Sequence, residues 1–131
     1  MIKLFEFGLD PEVVCYPDQL TVNLTVSWED LSTACLAFCL LQEGLILKAI
    51  FKSRQSAVKV SIERLNSEPG GLSRANTNEN ECQIFLSMDS LGCVQHFLLK
   101  YYRDGVAEVD HVDIQARSSD GADAYVIFLC S

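Results

Sequence analysis

Two residues of the chain, His96 and His111, are the only imidazoles available for acid–base or metal chemistry. His111 stands in "DHVD" (residues 110–113), inside the longer run "YYRDGVAEVDHVDIQA". An imidazole beside carboxylates is the pairing that general-base catalysis and metal coordination both use. If residues 109–116 form a strand, alternate side chains share a face. His111, Asp113 and Gln115 then point one way; Asp110, Val112, Ile114 and Ala116 point the other. Val112 and Ile114 mark the core side, so His111 and Asp113 face outward. A metal site needs three or four converging ligands. This run offers two, and a third has to come from His96 or Glu108. The plainest reading is a surface histidine beside a carboxylate, and a binding role at a protein interface stands between that and a metal or catalytic site.

Other chemistries have weaker footing. The sequence has no Gly-x-Ser-x-Gly elbow and no phosphate-binding loop. "EPGGLS" is too short and too poor in glycine for a dinucleotide fingerprint. A Cys–His or Ser–His pair has no local signature. The six cysteines are Cys15, Cys35, Cys39, Cys82, Cys93 and Cys130, with no Cys-x-x-Cys among them. Cys35 and Cys39 lie one helical turn apart, but no second pair has zinc-site spacing. The opening "MIKLFEFGLDPEVV" does not read as an export signal. The expectation is a cytoplasmic protein whose cysteines are reduced, buried small hydrophobes. No cofactor, no metal and no catalytic residue is expected.

The net charge of −8 is spread unevenly. Residues 44–65 hold Lys48, Lys52, Arg54, Lys59 and Arg64 against Glu63 alone, and acids predominate on either side. An acidic surface repels phosphate, which argues against direct nucleic-acid binding. It suits a basic protein partner, whose approach opposite charge would steer. No apolar run is long enough to span a membrane.

The elements that must position these residues follow from periodicity. At 131 residues, 49% of them hydrophobic, the chain fits one domain, 1–131, with a sizeable core. "IKLFEF" (2–7) and "LTVNLTVS" (20–27) alternate as strands, and the proline-bearing 8–19 between them reads as a loop. Ser27 is a helix N-cap candidate with Asp30 three residues on, and Gly44 stops that helix. The helix is apolar on nearly every side, which predicts cover all round. Strands 45–52 and 57–65 form a hairpin with its lysines on the outer face. The polar stretch 66–81 reads as a long loop, followed by a strand at 82–87. Ser87 caps a second helix with Leu91, Val94, Leu98 and Tyr101 as its apolar stripe. Two more strands close the chain. The predicted class is α+β: two helices and a mostly antiparallel or mixed sheet of about six to seven strands, in the order ββαβββαββ. Both halves run strand, capped helix, hairpin, a similarity too coarse to count as a sequence repeat.

Residues 72–116, "LSRANTNENECQIFLSMDSLGCVQHFLLKYYRDGVAEVDHVDIQA", resemble small immunity proteins of bacterial polymorphic-toxin systems. The shared features are a polar Asn/Glu loop, a strand, a helix ending "YYRDG" and a strand with "VDH.D". The resemblance implies a cytoplasmic, non-enzymatic protein that binds and blocks a cognate toxin domain, such as a basic nuclease. The expected partner-binding residues are Glu108, Asp110, His111 and Asp113, with Glu79 and Glu81 of the polar loop and the aromatic Tyr102. One alternative is a small enzyme or a metal- or ligand-binding domain using His111 and Asp113. Another is a subunit of a homo-oligomer, as small as a homodimer, with Trp28 and the basic hairpin 45–65 at the contact.

Overall fold

The computed structural model describes residues 2–6, 9–16, 19–52, 58–65, 73–78, 81–105, 111–118, 121 and 123–130. Residues 2–6, 9–16, 19 and 78 are described through their backbone alone. In chain order the elements are β1 (Ile2–Glu6), β2 (Leu9–Tyr16), β3 (Gln19–Val26), a single 3-10 turn (Trp28–Asp30), α1 (Leu31–Gln42), β4 (Lys48–Lys52), β5 (Lys59–Arg64), β6 (Ser73–Asn78), β7 (Glu81–Leu86), α2 (Met88–Asp104), β8 (His111–Arg117) and β9 (Asp123–Cys130). The class is α+β with two helices and a mixed sheet, and the expected elements occur in the expected order.

The strands form one sheet, ordered β1-β4-β5-β7-β6-β8-β9-β3-β2. The sequential hairpins β2–β3, β4–β5, β6–β7 and β8–β9 are antiparallel. The joins β1–β4, β5–β7, β6–β8 and β3–β9 are parallel. β1 and β2 stand at opposite ends of this order, yet only residues 7 and 8 separate them. An extended chain covers at most about 3.6 Å per residue, so Glu6 and Leu9 lie within roughly 11 Å. The sheet therefore curls until its two edges approach each other.

Two segments read as loops are strands. Residues 9–16 form β2, and Pro11 is tolerated because β2 is an edge strand, where a missing N–H breaks no ladder. Residues 73–78 form β6 despite their polarity. Ser73 and Ala75 are buried there, and the serine is satisfied locally. Its Oγ donates to Ser90 Oγ at 3.0 Å and accepts from the Ser87 N–H at 3.0 Å, fastening β6 to the start of α2.

The structure also contains an internal repeat. The ββαββ unit β2-β3-α1-β4-β5 recurs as β6-β7-α2-β8-β9. Each unit's pre-helix strand pairs in parallel with the last strand of the other unit: β3 with β9, and β7 with β5. Sixty residues apart, the buried positions coincide. Val22, Leu24, Val26, Leu31, Ala34, Ala37 and Phe38 match Cys82, Ile84, Leu86, Leu91, Val94, Phe97 and Leu98. From residue 22 to 42, only Ser27 and Leu31 recur unchanged at that offset, so the repeat is one of burial rather than identity.

The helices lie antiparallel on one face of the sheet. Trp28, just before α1, meets Tyr101 and Tyr102 at the end of α2, while Gln42 lies beside Gly92 near its start. Phe38 links the layers, with ring centroids 6.3 Å from Phe51 of β4 and 5.6 Å from Phe128 of β9. Ser87 caps α2 by accepting from the Ser90 N–H at 3.2 Å. Gly105 ends it at φ +74°, a left-handed conformation suited to glycine. Gly44 follows α1 at the same φ, and the Arg64 guanidinium of β5 donates to the Gln42 carbonyl at 3.4 Å. That contact sets a cation at the negative end of the α1 dipole. The expected all-round cover of α1 is not found. Ser32, Leu36, Cys39 and Glu43 form an exposed stripe along it.

Candidate functional site

Strand alternation divides β8 as the sequence reading expected. His111, Asp113, Gln115 and Arg117 are exposed, whereas Ile114 and Ala116 are buried. His111 Nε2 lies 3.5 Å from Asp113 Oδ1, with both side chains about half accessible (48% and 56%). Such an exposed pair contributes little to stability. Both groups reach the surface. Among the described residues no group of three His, Cys, Asp or Glu side chains converges on one point.

The neighbouring strand supplies the rest of this face. Across the β8–β9 ladder His111 pairs with Leu129, Asp113 with Ile127 and Gln115 with Tyr125. Tyr125, Ile127 and Leu129 are half-buried, on the outer side of β9, and Ala124, Val126 and Phe128 fill the core side. On the other flank of β9, Thr21, Asn23 and Thr25 of β3 stand opposite the same three residues. The outer face here is an apolar strip one strand wide, bordered by His111, Asp113 and Gln115 on one side and small polar residues on the other. The reading centred on "DHVD" missed this strip. Its sequence signal was the unbroken apolar run "AYVIFLC", which makes both faces of a strand apolar instead of one.

The other expected binding residues separate. Glu81 opens β7 and pairs with Lys59 Nζ at 3.1 Å on the outer face of the basic hairpin. The registers through β6 place it at the far end of the sheet from Asp113. At about 3.3 Å per residue that is roughly 25 Å along the strands. Glu81 and Asp113 do not share a site. Tyr102 lies on the helical side of the sheet, its ring stacked on Trp28 at 6.3 Å and 18°. It sits in a shallow groove of about 400 Å³ with His96, Leu99, Lys100 and Arg103. Glu79, Glu108 and Asp110 lie outside the described residues.

Charge and thiol chemistry follow from surroundings. Hydrogen bonds from Arg103 at 2.8 and 3.0 Å hold the Asp104 carboxyl below its ordinary range. Burial pushes the Cys82 and Cys130 thiols up to about 11, with the nearby Cys35 adding to the rise at Cys130. Cys35 is raised by burial too. These are poor nucleophiles, because the thiolate is the reactive form. Cys39 and Cys93 are exposed, a correction to the expectation that the cysteines are interior residues, and all five described cysteines are free.

Comparison with known proteins gives no match, either to a protein-family model or to a curated sequence.

Proposed function

We propose that the chain is a non-enzymatic, toxin-neutralising protein that works in the cytoplasm and docks the outer face of β8 and β9 on a cognate bacterial toxin domain. One observation carries this reading. The apolar strip Tyr125–Ile127–Leu129 runs alongside the exposed His111 and Asp113 on a regular, well-paired part of the sheet. A rigid apolar centre with a polar margin is the common anatomy of protein interfaces. Strand residues present it without the ordering cost of a loop. The net charge of −8 favours a basic partner, such as a nuclease, by steering its approach. The resemblance of residues 72–116 to immunity proteins supports the same class of partner.

The test compares proteins retained from the source cells by the tagged wild type and by Asp113→Lys and Ile127→Asp. The expected result is one stoichiometric partner, lost from both variants, whose toxicity in a heterologous host is relieved by co-expressing the wild type. Retention of that partner by both variants, with circular dichroism unchanged, removes the β8–β9 face from the reading. The 3.5 Å His111–Asp113 pair favours a second reading, a small ligand or metal site. That reading predicts a ligand- or metal-induced rise in melting temperature that His111→Ala abolishes.

A further inference from the structure

We draw no further inference here: the strongest candidate, the exposed apolar patch of the helical layer that includes Trp28, Leu36, Leu99 and Tyr102, carries none because nothing in the structure shows what covers it.

Discussion

Phe38 is where the two halves of the chain meet, and truncating it tests the packing directly. The side chain is fully buried on α1, between Phe51 of the first ββαββ unit and Phe128 of the second. Phe38→Ala removes the ring and leaves a cavity that rigid strands on both sides are slow to fill. Core Phe→Ala changes cost about 3–5 kcal/mol, of which each aromatic contact accounts for roughly 0.5–1.5 kcal/mol. Against the ~5–15 kcal/mol that a whole domain has, this is a large fraction. For a chain of this length the melting temperature should fall by roughly 10–20 °C. Phe38→Leu keeps most of the volume and should lose about 1–2 kcal/mol, chiefly the ring contacts. Urea unfolding followed by circular dichroism measures both, with Leu36→Ala as the surface control, since Leu36 is 54% exposed on the same helix. A loss below about 1 kcal/mol for Phe38→Ala, or an equal loss for Leu36→Ala, would mean that α1 does not turn the Phe38 side toward the sheet.

Two further outcomes follow from side-chain chemistry. Ser73→Ala should cost about 1–3 kcal/mol, because it strands the Ser87 N–H without its acceptor. Ser87→Ala should cost about 1 kcal/mol as a lost helix cap. The double variant, read by the same urea titration, should cost less than the sum because both act on one hydroxyl network. Alkali should also destabilise the fold. The Cys82 thiol ionises near its ordinary 9.0 when unfolded but only at about 11 when folded. The unfolded chain therefore binds fewer protons between those values, and stability falls as pH rises through that window. The full effect is roughly 2–3 kcal/mol at 1.36 kcal/mol per tenfold. Melting curves at pH 8 and pH 10.5 should converge for Cys82→Val relative to wild type, and parallel losses in the two proteins would exclude this thiol as the cause.

Much of this architecture was legible in the residues. The alternation of Val22, Leu24 and Val26, the cap at Ser87 and the stops at Gly44 and Gly105 each act locally, so they mark elements wherever they stand. Ser27 does not cap as expected, since its hydroxyl donates to Asp30 Oδ2 at 2.9 Å and a 3-10 turn separates it from α1. β2 and β6 were hidden for opposite reasons. Pro11 is a break signal that an edge strand tolerates, and "SRANTN" has little strand preference until β7 and β8 bracket it. The outward position of His111 and Asp113 was readable from period two alone. The apolar strip of β9 and the distance between Glu81 and Asp113 were not, because both depend on which strands lie side by side, and the parallel pairings join segments far apart in sequence. The exposed Leu36 has the same origin. An apolar helix states what it needs covered, but whether the cover comes from its own chain is settled by topology.

The exchange of strands between the two ββαββ units has a consequence for synthesis. β3 leaves the ribosome early, but its parallel partner β9 follows about a hundred residues later. At 5–20 residues per second that interval is roughly 5–20 s. During it Val22, Leu24 and Val26, all destined for the core, have only the β2 side of their hairpin paired. The first unit cannot be finished as an independent piece, so a nascent chain stalled before residue 123 remains a client for chaperones, and truncation there yields no smaller stable domain.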